Sequence, residues 1–93
     1  MYNNREMRHR ADDNQQEIVD TLRDIGASVL VLSQVGGSCP DLLISWHGEN
    51  YLIEVKAPKG KLSPGQKEFF DTWTGKVFIV RSIDEALELL DYL

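Results

Sequence analysis

Ser63-Pro64-Gly65-Gln66 lies between two short apolar runs, Tyr51 to Lys56 and Lys76 to Val80, and it decides the topology of the chain. A serine followed three residues later by glutamine is a capping box, and proline at the first helical position gives up an N–H that a helix start does not need. The segment predicts a helix running to about Trp73 and burying Phe69, Phe70 and Trp73 to some degree, with Gly75 as its stop. Strand, helix, strand in that order implies a parallel, right-handed crossover.

The other elements fit around this unit. Asp12 or Asp13 is a plausible N-cap for a first helix ending near Ile25, with Ile18, Val19, Leu22 and Ile25 facing the core and Gly26 as the stop. Ala27 to Ser33 reads as a strand, and Val35-Gly36-Gly37-Ser38 as a flexible loop. Asp41 to Trp46 and Tyr51 to Lys56 read as a hairpin about the polar loop His47-Gly48-Glu49-Asn50. Ser82 and Glu85 suggest a second capping box, for a last helix whose Ile83, Ala86, Leu87 and Leu90 pack inward. The expected class is α/β: a mixed central sheet flanked by helices, in the order α-β-β-β-α-β-α.

Length and composition narrow the function. The 93 residues suit a single domain spanning 1–93, with residues 1–11 as a mobile basic arm. Hydrophobic content of 42% and charged content of 27% are ordinary for a folded domain and argue against disorder. No apolar run approaches the roughly 20 residues of a membrane span, and the first ten residues carry no secretory pattern. Cys39 is the lone cysteine, so no intrachain disulfide forms, which favours a reducing cytoplasm. A net charge of −5 argues against a protein that simply coats DNA. It is compatible with an enzyme whose carboxylates await a cation. The charge is uneven: Arg5, Arg8 and Arg10 lie in the arm, and Lys56, Lys59, Lys61 and Lys67 cluster mid-chain.

Asp41 opens one strand of the hairpin, and Glu54 and Lys56 lie two apart on the next, so both point to one face. Two carboxylates converging at a strand end suit a hard cation such as Mg²⁺, which takes oxygen ligands. The Val55 carbonyl, between the two side chains, offers another oxygen. Lys56 can orient or deprotonate a water, or offset charge in a phosphoryl transition state. Strand carboxylates near lysines are usually just solvated. Here the neighbours Tyr51, Leu52, Ile53 and Val55 make the strand look buried, and charges in such a run are costly unless paired or metal-bound. Cys39 has no histidine placed as its partner, His47 falls in a turn, and Trp46 and Trp73 read as core or interface.

The strings GGSCPDLLISW and YLIEVKAPKGKLSPGQKEF resemble the PD-(D/E)xK nuclease superfamily, and more narrowly the VRR-NUC family of virus-type replication-repair nucleases. Pro40-Asp41 and Glu54-x-Lys56 carry the superfamily signature. Gly36-Gly37 and Leu62-Ser63-x-x-Gln66 carry the narrower one. The resemblance implies a restriction-endonuclease-like core and a phosphodiester endonuclease using Mg²⁺ or Mn²⁺. It implies Asp41, Glu54, Lys56 and Gln66 as catalytic residues. It adds Glu17, on the first helix, to Asp41, Glu54 and the Val55 carbonyl as metal ligands, although Glu17 also reads as a solvated helix residue and Gln66 as a helix cap. It places the chain among stand-alone phage-type members similar to dimeric Holliday-junction resolvases. Lys59, Lys61, Arg8 and Arg10 would then contact the DNA backbone, giving affinity without sequence choice. The alternatives are a catalytically silent DNA-binding or assembly subunit of the same fold, or a protein-interaction module using the acidic last helix.

Overall fold

The computed structural model describes residues 10–93, and their side chains from Asn14 onward. Arg8 and the start of the basic arm lie outside the described residues, as does the side chain of Arg10. The elements are α1 (Arg10–Asp24), β1 (Ser28–Val31), β2 (Leu42–Trp46), β3 (Glu49–Val55), α2 (Pro64–Thr72), β4 (Val77–Val80) and α3 (Ile83–Tyr92). One sheet has the order β1-β2-β3-β4, antiparallel except for the parallel β3–β4 pair. The mixed α/β sheet and its element order are those expected from the sequence.

α1 already includes Arg10 and Ala11, so neither Asp12 nor Asp13 is its N-cap. Its far end closes as a Schellman motif at Gly26, φ +105°. Ala27 N–H donates to Leu22 O at 3.0 Å, and Gly26 N–H donates to Arg23 O at 3.0 Å. Leu22 and Ala27, the residues this motif brings together, are both in the core. Ile25 is 44% exposed rather than core-facing, because the turn swings it off the Ile18, Val19, Leu22 stripe.

The β2–β3 hairpin is tighter than expected. Its loop is the pair His47-Gly48, φ +52° and +83°, a type I′ turn whose twist matches the strands. Glu49 and Asn50 are therefore strand residues, and Trp46 pairs with Glu49. One face of the sheet, with Val29, Leu42, Ile44, Tyr51, Ile53, Val55 and Val80, packs on Ile18, Val19 and Leu22 of α1 and Ala86 and Leu90 of α3. The Trp46 indole N–H donates to Leu90 O at 3.2 Å and ties the hairpin to the end of α3.

α2 buries none of its residues: Phe69 and Phe70 are half-buried, and Trp73 just beyond it is 47% exposed. Its capping box is complete. That of α3 is half made, since Ser82 Oγ accepts from Glu85 N–H while Glu85 Oε1 accepts from Arg81 N–H, one residue before the cap. On α3, Ala86 and Leu90 are buried, Ile83 and Leu89 pack against the core, and Leu87 stays half-buried outside it. Phe78 and Leu93 also find places against the core, whereas Tyr92 is 84% exposed.

Gly26→Ala is expected to lower stability by about 1–2 kcal/mol, because an L side chain is strained at this φ. Urea melts of the two proteins check this. An unchanged midpoint would mean the Schellman turn does not hold the α1–β1 corner.

Candidate active site

The type I′ turn sets the β2–β3 register, Leu42 opposite Ile53. One step further places Asp41 opposite Glu54, and another places Pro40 opposite Val55. Asp41 and Glu54 occupy a non-hydrogen-bonded position, where cross-strand side chains approach most closely. Alternation along β3 puts Glu54 and Lys56 on the face away from the helix-packed core.

Proline breaks the ladder at this point. It has no N–H to donate to the Val55 carbonyl, and the chain leaves the strand there. The Val55 N–H donates instead to Asp41 Oδ2 at 2.9 Å, which fixes that carboxylate beside the strand. Asp41 is held on its main-chain side as well, where its carbonyl accepts from Leu32 N–H at 2.7 Å.

Glu54 is the buried charged residue among those described, at 3% exposure. Its Oε2 accepts from Gln66 Nε2 at 3.2 Å and lies 3.8 Å from Lys56 Nζ. Burial, and then the neighbouring Asp41 carboxylate, push the Glu54 pKa up from 4.5 to about 7, against the opposing pull of Lys56. Gln66 does two jobs at once: its Oε1 accepts from Ser63 N–H at 2.9 Å, closing the capping box, while its amide nitrogen grips Glu54. It touches Glu54 rather than Lys56.

The loop before Asp41 is shaped to lie against α2. Gly36, Gly37 and Ser38 all take positive φ (79°, 62° and 66°), and a Cβ on Gly65 would collide with Ser38 Oγ. The glycines at 36, 37 and 65 let this loop and the first turn of α2 close over the carboxylate side of the sheet.

The structure thus brings together Asp41, Glu54, Lys56, Gln66 and the main chain of Val55. Glu17 is exposed on α1, and among the described residues no three His, Cys, Asp or Glu side chains gather as a metal-binding group. Lys59 and Lys61 are exposed on the loop leaving β3. Cys39 is a half-buried free thiol, and His47 is exposed with its ring stacked on Trp46. Two residues that the sequence left without a role also border the site. Asn14 Nδ2 donates to Lys56 O at 3.3 Å and to Arg81 O at 3.2 Å, and the Arg81 guanidinium donates to Ala57 O and Gly60 O. The available signals were faint: an asparagine inside a helix it does not favour, and an arginine just before a cap.

The donor set fits a hard divalent cation. A paired carboxylate that resists ionisation when empty, and a strand-end carbonyl with no ladder donor from Pro40, are oxygen ligands short of positive charge.

A structure with this hairpin, crossover and acidic strand end has the architecture of a nuclease domain. The sequence profile of the VRR-NUC domain matches residues 3–83, and the chain belongs to that family, a nuclease family that generally uses divalent metals. A solved structure described as a VRR_NUC domain superposes with a TM-score of 0.65 at 25% identity, covering 88% of this chain and 95% of that one. None of the curated proteins matches. No helix among the described residues is long and apolar enough to cross a membrane.

The pH dependence of stability should carry the signature of Glu54. The unfolded chain releases this proton near pH 4.5 and the folded chain near 7, so the folded state holds more protons between them. The contribution of Glu54 to stability is full below 4.5 and lost as pH rises to about 7. Metal-free Glu54→Gln cannot show this loss and should gain on the wild type across that interval. Denaturant melts at closely spaced pH values provide the check; parallel curves would overturn the assignment of a raised pKa.

Proposed function

We propose that this chain is a Mg²⁺- or Mn²⁺-dependent endonuclease that hydrolyses DNA phosphodiesters, selective for Holliday junctions or other branched DNA. The observation that carries the reading is the pairing of buried Glu54 with Asp41 across the hairpin, with Lys56 on the same face. Asp41, Glu54 and the Val55 carbonyl would hold the cation, and Glu17 would act at longer range, through solvent. A bound cation supplies Lewis acidity toward the phosphate and eases ionisation of water.

The chain's own residues do the rest. Val55 N–H fixes the Asp41 carboxylate, and Gln66 Nε2 fixes Glu54 Oε2, so neither rotates as substrate arrives. The Lys56 side chain offsets charge accumulating on the phosphoryl oxygens and orients the attacking water. Lys59 and Lys61, with Arg8 and Arg10, bind phosphates flanking the cleaved bond. Such contacts position a duplex without reading it, and among the described residues no helix is presented as a base reader, so the shape of the DNA is left to select the substrate.

Asp41→Asn, Glu54→Gln and Lys56→Ala should each reduce single-turnover cleavage by about a hundredfold or more. Cleavage should stop in EDTA, while Ca²⁺ supports DNA binding without cutting, because its looser coordination does not align the reactants. Near wild-type rates for any two variants, or cleavage in EDTA, would end this reading.

The proposed working unit is a homodimer, whose two-fold axis would match that of a four-way junction. Trp73 and Tyr92 remain outside the core and are candidates for the interface. Light scattering at micromolar concentration should give twice the chain mass, and a junction labelled on each strand in turn should show paired symmetric cuts. A monomer mass would defeat the dimer without touching the chemistry.

A further inference from the structure

β3 and β4 run parallel and stop together. Lys56 N–H donates to Val80 O at 3.0 Å, the last bond of their ladder. The chain then turns into α3 at Ser82, so the donor to the Lys56 carbonyl comes from elsewhere. It comes from α1: the Asn14 amide nitrogen has two N–H groups, and it reaches the carbonyls of both Lys56 and Arg81. Lys56 is thereby held at its N–H by one strand and at its carbonyl by a helix. Those two bonds set its φ and ψ, and with them the direction in which its side chain leaves the sheet.

The next residues are held by Arg81. Its guanidinium donates to Ala57 O at 3.3 Å and Gly60 O at 2.9 Å, while its own carbonyl is the second acceptor of Asn14. Gly60 N–H also donates to Ala57 O at 2.9 Å, closing the loop into a turn. A Cβ on Gly60 would lie 3.5 Å from Lys56 Cβ and 3.3 Å from Ala57 O, so the turn packs directly on the lysine. This guanidinium spans two carbonyls of one turn, a task that suits a planar fork of donors better than a single ammonium.

We propose that Asn14 and Arg81 are positioning residues for Lys56. Together they clasp its carbonyl and the Ala57–Gly60 turn, and so aim the amine at the Glu54 carboxylate. The effect on cleavage rests on the nuclease reading above; the effect on the lysine rests on the contacts alone. Reaction rates are steep in such placement, since a displacement of roughly 1 Å can cost about a hundredfold.

The test uses the full chain with Asn14→Ala and Arg81→Lys. A short pulse of an amine acetylating reagent, without metal or DNA, is read lysine by lysine by mass spectrometry. The Lys56 side chain is 18% exposed, so it should label slowly in the wild type. In Asn14→Ala its labelling should rise by about fivefold or more as the amine is freed, with Lys67 and Lys76 unchanged. Single-turnover cleavage should fall by about tenfold to a hundredfold while DNA affinity stays within about twofold. Arg81→Lys should shift the same readouts in the same direction by less. If Asn14→Ala does not fold, Arg81→Lys decides the matter on both readouts. Unchanged Lys56 labelling in a folded variant overturns the proposal, as does a loss of cleavage matched by an equal loss of DNA affinity. Altered labelling in a protein whose wild type cuts no DNA would leave the clasp standing and remove the nuclease reading instead.

Discussion

Much of this structure depends on a carboxylate placed where a sheet would ordinarily bury a hydrocarbon. β3 is buried from Tyr51 to Val55, and Glu54 lies within that run at 3% exposure. An isolated charge there would be costly, so the surroundings must either neutralise it or supply partners. This chain does some of both. Gln66 and Lys56 approach one oxygen of Glu54, while burial and then Asp41 across the hairpin oppose its ionisation and raise its pKa to about 7. A carboxylate whose ionisation is opposed in this way gains from any positive charge brought beside it.

That placement traces back to two residues at the far end of the hairpin. A type I′ turn at His47-Gly48 permits one register, and the register carries through to the opposition of Asp41 and Glu54. A slip of one residue would send Glu54 into the face packed against Ile18 and Leu22 and turn Ile53 outward. The apolar pattern of β3 therefore guards the geometry of the carboxylates: Tyr51, Ile53 and Val55 can reach the core in this register only. Pro40 completes the arrangement. By ending the ladder, it releases the Val55 N–H to Asp41 and leaves the neighbouring carbonyl without a strand partner.

The same logic explains what could be read in advance. Period-two alternation and two serine-led helix starts are local signals, and they sufficed for the element order, the parallel crossover and the pairing of Asp41 with Glu54. Gln66 was legible as a cap, and its amide oxygen closes that cap while its amide nitrogen donates to Glu54. What escaped was set by tertiary geometry. Ile25 fits the helical stripe of α1, but the Schellman turn removes it. Glu49 and Asn50 look like turn residues by composition, yet the tighter turn makes them strand. Asn14 and Arg81 act on carbonyls 42 and 21 or more residues away in the chain, and no local pattern points to a main-chain acceptor.

α2 shows how closely site and scaffold are joined. It has no buried residue of its own, and Phe69 stacks on Trp73 along a surface that remains open. A helix with so small an apolar contact takes little of its placement from the core. Its fixed end is the first turn, where Ser63, Pro64 and Gln66 form the cap, Gly65 lies against Ser38, and the Gln66 amide reaches Glu54. The helix is thus anchored at the carboxylate it helps to orient, while its other end depends on little. The charge of Glu54 sets the strength of the acceptor that Gln66 grips, so the carboxylate and the start of α2 are linked by that one hydrogen bond. The aromatic pair at the other end of that helix is carried on the same rigid rod.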